Sequence, residues 1–474
     1  MKNKMIESNL KNKFVKNIIY AFSAQGVSLL LSITLSLIVP KALGVEDYSY
    51  WQLFIFYIGY VGIFHLGLND GIYLRLGGNK YENINFSLIG TQYKLLLFLL
   101  LMFATIIGLT SIHIDNPDRK YILIISAIYM LISNATMFLG YIFQAVNKTK
   151  IFSVSVIIDR SFLLVSILTL ILIGIENYRP FIIVYLISKL VEVVYYVYFS
   201  RKIIFSKWHN TQESLCEMWL NISVGVNLVL ANISSMLILG SGRLIIDKIW
   251  GVLVFGKISL SLTLTSFFLV FIAQISMVLF PTLRIVDKER LVVIYFKMRD
   301  VLGLFLPLIL LAYYPLKYLL ELWIPEYQDS LRYLALLLPL CTFDGKMQLL
   351  YNTFFKVLRE EKRLLKYNII TFIVSFTLCM IGGYLLHNLN FIIISLIASI
   401  AFRSIISELY LTNLLGGKVF LNVVQEVILV LLFMISSWYF SPFYGFVFFF
   451  FAYSIYLFIN QKKLKRCKSI LLKK

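Results

Sequence analysis

The chain has 474 residues, of which 60% are hydrophobic and only 14% are charged. Soluble globular proteins are about 45–50% apolar and about 25% charged, so this composition excludes an ordinary soluble protein. The formal net charge of +20 does not indicate a nucleic-acid partner, because basic residues in a membrane protein mark its cytoplasmic loops. We therefore interpret the chain as a protein of the lipid bilayer.

Apolar runs of about 20 residues recur along the whole chain, and each is long enough to cross a hydrocarbon core of about 30 Å. This pattern predicts an all-α polytopic membrane protein with about 14 transmembrane helices. A transmembrane β-barrel would instead show segments of about 10 residues with alternating polarity. The predicted spans are 17–40, 49–68, 88–112, 121–146, 151–174, 178–200, 219–240, 256–280, 301–323, 331–352, 364–386, 391–414, 421–440 and 443–460.

Basic residues divide unequally between the two sets of loops that these spans define. The set that includes both termini holds 30 Lys and Arg residues, whereas the opposite set holds 7. By the positive-inside rule the first set is cytoplasmic, so we expect both termini in the cytoplasm. The loop at 241–256, which carries Arg243 and Lys248, is expected outside.

An internal repeat is indicated by two pairs of segments that align at nearly the same offset. The segment IVPKALGVEDYSYW at 38–51 aligns with IIDKIWGVLVFGKI at 245–258, which is an offset of 207. The segment FQAVNKTK at 143–150 aligns with FKVLREEK at 355–362, which is an offset of 212. Six predicted spans separate equivalent points, a pattern typical of transporters built from two parallel repeats.

Small polar residues recur at helical spacing in the first, seventh and eighth predicted spans. Such stripes let membrane helices pack closely, and they also line polar cavities. Because three stripes occur together, we favour a shared polar cavity, with close helix packing as the alternative. The stripes comprise Gln25, Ser28, Ser32 and Ser36; Ser223, Asn227 and Ser234; and Ser259, Thr263 and Ser266.

Four charged residues lie inside the fifth and sixth predicted spans, where charge is costly. Asp159 and Arg160 are adjacent, so their side chains diverge by about 100° on a helix and need separate partners. Lys189 and Glu192 share one helix face. We expect Asp159 to pair with Lys189. Arg160 either pairs with Glu192 or, like Lys189 in the functional interpretation, meets an anionic substrate in a wet cavity.

Other charged residues lie near span ends or within the twelfth span. Arg75 ends the second span on the cytoplasmic side, and Arg243 and Asp247 follow the seventh span on the outside. We interpret both arginines as further candidate cations for an anionic substrate and Asp247 as a structural charge partner. Arg403 and Glu408 are expected to form a structural pair.

Signatures of an enzyme or a cofactor site are missing from the sequence. The four histidines are isolated, the four cysteines show no CxxC spacing, and no phosphate-binding glycine loop follows a strand-like run. We therefore expect no catalysis, no metal and no other cofactor, and leave open a coupling of transport to an ion gradient.

Five stretches, in this order, carry a family resemblance: LGVEDYSYWQLFIFY, FHLGLNDGIYLRLGG, FQAVNKTK, GRLIIDKIWGVLVFGKISLSLTL and VLFPTLRIV. They resemble the polysaccharide-transporter family, the O-antigen and capsule repeat-unit flippases of the multidrug/oligosaccharidyl-lipid/polysaccharide exporter superfamily. The resemblance covers nearly the whole chain. One departure is Ser49, where the family usually has a glycine, whereas Gly256 keeps that glycine in the second half.

The resemblance implies two six-helix lobes around a central cavity, here 1–200 and 201–414, plus two further helices and a basic tail at 415–474. The first, second, seventh and eighth spans would line the cavity. The implied substrate is a polyprenyl-diphosphate-linked oligosaccharide, which crosses a bacterial inner membrane to its outer leaflet by alternating access. Glycosyltransferases and a polysaccharide polymerase are the implied partners.

Such a substrate suits the polar residues described above. Serine and asparagine can bond sugar hydroxyls, and the planar fork of arginine suits a phosphate group.

Three alternative functions remain. A multidrug or toxin extrusion antiporter for cations would call for an acid in the first span, which has none. A membrane-embedded polymerase or ligase would carry a long external loop, and the third alternative is an unrelated transporter with parallel repeats.

Overall fold

The structure is a computed structural model that describes residues 23–283 and 287–465, with the side chains of 270–282 and 288 left undescribed. Every regular element in these ranges is helical. Ten helical runs within the described residues are long and apolar enough to cross a membrane. The prediction of an all-α polytopic membrane protein is therefore confirmed.

The first of two compact units contains the described residues up to Ile233. Its fourth helix begins at a strong sequence signal, because the Asn116 side chain accepts a hydrogen bond from Arg119 N and Pro117 occupies the first turn. The helices are α1 (Ser23–His65), α2 (Leu68–Leu76), α3 (Phe86–Thr110), α4 (Pro117–Ala145), α5 (Thr149–Leu172), α6 (Tyr178–Phe199), a short turn at Arg201–Ile204 and the first part of α7 (Thr211–Leu283).

Helix α4 is the central helix of the first unit and contacts α1, α2, α3, α5 and α6. In its most apolar stretch 67% of the residues are buried, against 22% in α5, which therefore lies at the periphery. Leu96 and Leu100 of α3 pack with Phe138 and Ile142 of α4 in the core. The charged residues of α5 and α6 thus belong to an outer layer around α4.

The second compact unit begins at Ser234, inside α7. Its core includes Tyr295, Leu350, Phe354 and Leu411. The helices after α7 are α8 (Lys288–Phe305), α9 (Leu308–Leu311), α10 (Tyr313–Trp323), α11 (Gln328–Leu337), α12 (Leu340–Lys346), α13 (Asn352–Val357), α14 (Glu361–Met380), α15 (Leu389–Leu414), α16 (Phe420–Tyr439) and α17 (Pro442–Ile459), with π-helical turns at Met347–Tyr351 and Ile381–Leu385.

The fourteen predicted spans map unevenly onto these helices. Helices α1 and α7 each contain two predicted spans, so the loop predicted at 241–256 is wrong and Arg243 lies within a helix. Two other predicted spans, 301–323 and 331–352, are broken near Pro307 and Pro339, which lack the backbone donor that a continuous helix needs. Residues 17–22 of the first predicted span lie outside the described residues.

Helices α1 and α7 each contain one sharp kink at a glycine. Gly44 has φ 68° and ψ 177°, and Gly251 has φ 83° and ψ 176°. This backbone region is open essentially to glycine alone, because a Cβ atom would clash there. The two glycines are matched by the sequence offset of 207, so the first aligned pair of segments has the same backbone conformation at this point.

The second aligned pair of segments also shares its backbone. Asn147 and Arg359, which the offset of 212 matches, both have φ 59°. The amide of Lys148 donates to Phe143 O over 2.8 Å, and the amide of Glu360 donates to Phe355 O over 2.7 Å. The same turn therefore ends α4 and α13, while the predicted lobe boundaries at 200 and 414 stay predictions.

Candidate functional site

A buried group of charges links α5 and α6 in the first unit. Lys189 Nζ lies 2.9 Å from Asp159 Oδ2 and 2.7 Å from Glu192 Oε2. The side chains of Asp159, Glu192 and Lys189 are 3%, 8% and 14% exposed. The predicted contact between Asp159 and Lys189 is present, and one ammonium group serves two carboxylates.

Arg160 does not contact Glu192 in the structure. Glu192 is bonded to Lys189, and the carboxylate nearest to Arg160 is that of Asp159, with 3.6 Å between Nε and Oδ2. The Arg160 side chain is 40% exposed. Of the two alternatives for Arg160, pairing with Glu192 is therefore not found, because Lys189 shares the helix with Glu192 at a spacing of three residues and bonds it.

Arg75, near the end of α2, is held by the first turns of α7. Its Nη1 lies 2.8 Å from Asn221 Oδ1 and 2.8 Å from Glu217 Oε2. Asn221 Nδ2 in turn donates to Gln92 Oε1 of α3 over 2.9 Å. These residues border a cavity of about 250 Å³. The carboxylate of Glu217 neutralises Arg75, so this arginine is a weaker anion ligand than its sequence position suggested.

Close backbone contact between α2 and α7 fixes the position of Arg75. A Cβ atom on Gly71 would lie 1.8 Å from Asn221 O, and one on Gly225 would lie 2.0 Å from Gly67 O. Only glycine fits at these points, since any side chain would overlap main-chain atoms. The crossing of the two helices is therefore set by small residues, as membrane helix pairs often are.

The polar stripe predicted for the first span is interrupted in the structure before Ser36. Ser28 Oγ donates to Ala24 O over 2.8 Å within its own helix. Gln25 and Ser32 are half-buried, whereas Ser36 is 2% exposed and lies in a π-helical turn at Thr34–Ile38. That wider turn changes the helical phase, so Ser36 leaves the face that a regular helix would give it.

The seventh predicted span belongs in part to the first unit. Asn227 is exposed, and Ser223 Oγ donates to Leu220 O over 2.8 Å. An exposed amide inside a membrane-length helix needs water or a polar ligand as its partner. Asn227 therefore stays a candidate substrate residue.

In the second unit, Arg243 and the eighth-span residues come together. Arg243 Nη2 donates to Ser259 Oγ over 2.7 Å, and its guanidinium lies 4.9 Å from the centre of the Phe255 ring. Thr263 Oγ1 donates to Ser259 O over 2.8 Å. Asp247 is 8% exposed, one helical turn beyond Arg243. Two of the predicted substrate residues thus contact each other directly.

A second group of four charges, more deeply buried than the α5–α6 group, was not predicted from the sequence. Arg299, Lys346, Glu408 and Glu426 lie together in the second unit, each with a side chain at most 2% exposed. Lys346 and Glu426 lie inside predicted apolar spans, and a charged residue at such a position is the sequence signal that could have indicated a buried ion pair. Arg299 lies between two predicted spans, where a cytoplasmic loop is predicted, yet it is buried in the structure.

The expected pair of Arg403 and Glu408 is wrong. Arg403 Nη1 donates to Ser235 Oγ over 2.5 Å, and its Nη2 bonds Asp344. Glu408 accepts instead from Arg299 Nε over 2.7 Å and from Tyr351 over 2.5 Å. Arg403 and Glu408 are five residues apart, so they point to different sides of α15.

The described residues contain no group of three or more His, Cys, Asp or Glu side chains arranged to hold a metal ion.

No family model matches the chain, and no curated protein matches it. Solved structures do. The lipid II flippase MurJ, in an inward closed conformation, is 13% identical with a TM-score of 0.65 over 95% of this chain and 99% of that chain. An inward-facing multidrug resistance MATE family transporter is 14% identical, with a TM-score of 0.57 over 82% of this chain and 94% of its own.

A third structure is a MOP-superfamily transporter from Pyrococcus furiosus with a binding pocket of reverse polarity. It is 13% identical, with a TM-score of 0.51 over 86% of this chain and 96% of its own. Identities this low describe the fold, and all three structures share it. The chain is therefore a multi-pass membrane protein with the fold of the MOP-superfamily transporters, the superfamily that its sequence resembles.

Proposed function

We propose that this protein is a flippase that moves a polyprenyl-diphosphate-linked oligosaccharide from the cytoplasmic to the outer leaflet of a bacterial inner membrane. The observation that carries the proposal is the extent of the match to the lipid II flippase, 95% of this chain against 82% for the MATE transporter. The flippase fold accounts for more of the chain, and its TM-score is higher.

Arg160 is the cation that we assign to the diphosphate. The Asp159–Lys189–Glu192 group holds one cation between two carboxylates, and Arg160 brings the local charge to zero. Its nearest carboxylate is 3.6 Å away and its side chain is 40% exposed, so Arg160 is held less closely by an acid than Lys189 is. Arginine binds phosphate through two parallel donors, which a lysine cannot imitate.

A cation antiporter is the rival within the same superfamily. Cationic substrates call for a carboxylate that faces the substrate, but the first predicted span contains no acid. In the first unit the two carboxylates of the α5–α6 group are occupied by Lys189. These two carboxylates are therefore not available to a cationic substrate.

The test is transport in proteoliposomes that hold a polyprenyl-diphosphate-linked oligosaccharide. Arrival of the sugar at the far leaflet is followed with a membrane-impermeant glycosidase. We expect the wild-type protein to accelerate this arrival, Arg160→Ala to abolish it and Arg160→Lys to keep part of it. Arg290→Ala, which removes an exposed arginine, is the control and should keep full activity. Export of a cationic dye without lipid transfer would contradict the proposal and support the antiporter.

Both termini lie in the cytoplasm in this proposal, as the distribution of basic residues predicts. Alkaline phosphatase fused after Lys474 should then be inactive, and a cytoplasmic reporter at the same point should be active. The opposite result would place the C-terminus outside the cell, and the proposed direction of transport would then be wrong.

A further inference from the structure

The cavity beside Arg75 has a lining that the transport of a diphosphate does not explain. This half-open cavity is lined by the end of α2, the connection from α2 to α3, the first turns of α3 and the first turns of α7, all within the first unit. Its volume is about 250 Å³. Drug-sized ligands occupy pockets of roughly 300–1,000 Å³, so this one suits a single small ring.

Amide side chains dominate the polar part of the lining. Asn79, Asn83, Gln92 and Asn221 all border the cavity. Gln92 and Asn221 are 1% and 4% exposed and are bonded to each other, so part of the lining is held rigidly. Each amide offers both donors and acceptors, as the hydroxyl groups of a sugar do.

The charges beside the cavity balance. Arg75 Nη1 lies 2.8 Å from Glu217 Oε2, and both residues border the cavity. A phosphate group near Arg75 would also meet the carboxylate of Glu217, which repels it. A neutral ligand meets no such penalty. Ile72 and Leu76 on the other wall offer an apolar surface to the C–H face of a ring.

We propose that this cavity binds one uncharged sugar ring, the hydroxyl- and amide-bearing part of the substrate, before transport begins. The inference rests on the proposed function for the location of its ligand, since the cavity lies on the predicted cytoplasmic side. It assigns the sugar to the amides around Arg75 and leaves the diphosphate to Arg160.

Protection of an introduced cysteine tests the proposal on the full-length protein. Asn83→Cys, in a background with Cys216→Ser and Cys467→Ser, is treated with a water-soluble maleimide. Asn83 is an exposed residue of the cavity wall, so labelling is expected. Asn390→Cys, an exposed asparagine outside the lining, is the matched control. The probes are free glucose, galactose and N-acetylglucosamine, and a polyprenyl-diphosphate-linked N-acetylglucosamine.

We expect at least one probe to slow labelling at Asn83→Cys and to leave Asn390→Cys unchanged. Protection by a free sugar identifies the ring alone as the ligand. Protection by the lipid-linked sugar only identifies the substrate in the membrane as its source. Adding Asn79→Ala should raise the half-protecting concentration about 3- to 10-fold, the usual effect of one neutral hydrogen bond.

Two results would overturn the proposal: no protection by any sugar probe, or protection by inorganic phosphate or phosphatidylethanolamine vesicles in place of sugars. Normal transfer in proteoliposomes without sugar protection would reject this cavity and keep the flippase. Sugar protection without any transfer would reject the flippase and keep the cavity as a sugar site.

Discussion

Arg299 Nε donates to Glu408 Oε1 over 2.7 Å, and both side chains are only 2% exposed. Lys346 lies 3.2 Å from the other oxygen of Glu408 and also bonds Glu426. Two cations and two carboxylates, contributed by α8, α12, α15 and α16, are therefore fully buried together, and Arg299 also lies 3.3 Å from the less buried Asp300. Glu426 joins α16, one of the two helices expected as additions to the lobes, to the interior of the second unit.

Loss of one charge from this group should destabilise the protein strongly. Glu426→Gln leaves Lys346 with Glu408 as its one carboxylate, while Arg299 keeps Glu408 and the partly exposed Asp300. Breaking a buried ion pair costs about 3–5 kcal/mol. We expect a lower temperature of unfolding in detergent, measured by the exposure of buried cysteines to a thiol-reactive dye.

The matched control is Glu321→Gln, whose partner Lys317 is 3.8 Å away and whose side chain is 37% exposed. Exposed pairs contribute about 0–1 kcal/mol, so this variant should unfold near the wild-type temperature. Adding Lys346→Met to Glu426→Gln should recover part of the loss. Equal behaviour of Glu426→Gln and Glu321→Gln would contradict the structural role of the group.

The α2–α7 crossing should tolerate no side chain. Gly71→Ala places a Cβ atom 1.8 Å from Asn221 O, so the helices must separate. We expect lower stability and faster maleimide labelling of Asn83→Cys, since Asn221 helps to close that cavity. Gly108→Ala is the control, because a Cβ there meets nothing within 4 Å. Stability of Gly71→Ala at or above that of Gly108→Ala would refute the close crossing.

The repeated kinks should depend on glycine for a different reason. A Cβ atom on Gly44 or Gly251 meets nothing within 4 Å, so alanine there suffers only backbone strain. Such strain costs about 1–3 kcal/mol. Gly44→Ala and Gly251→Ala should therefore each lower stability by a similar amount, measured by thermal unfolding in detergent. A large loss at only one position would show that the two kinks are not equivalent.

Lys189 should matter for folding more than Arg160 does. Lys189→Met leaves Asp159 and Glu192 buried without their shared cation, which we expect to cost about 3–5 kcal/mol. Arg160→Met should keep normal expression, because its closest acid is 3.6 Å away and its side chain is 40% exposed. The exchange of Arg160→Glu with Glu192→Arg should restore nothing, since these residues are not partners. Recovery of function in that double variant would show that Arg160 and Glu192 are partners after all.

The sequence by itself determined the class of the protein, the helices α3 to α6 and α14 to α17, and the two pairs of aligned segments. Apolar length fixes what can cross a bilayer. The contact between Asp159 and Lys189 was also predictable, because few groups inside a membrane can balance a carboxylate.

Only the tertiary structure decided which charges meet. Glu408 lies near Arg403 in sequence, yet its partners are Arg299 and Lys346, which are brought to it by other helices. The sequence position of Arg75 predicts a cation for the substrate, but in the structure Glu217, 142 residues later in the chain, lies beside it. Helical spacing shows which face of a helix carries a residue, but it does not show which other helix packs against that face. Long-range pairing therefore decides whether a buried charge is structural or available to a ligand.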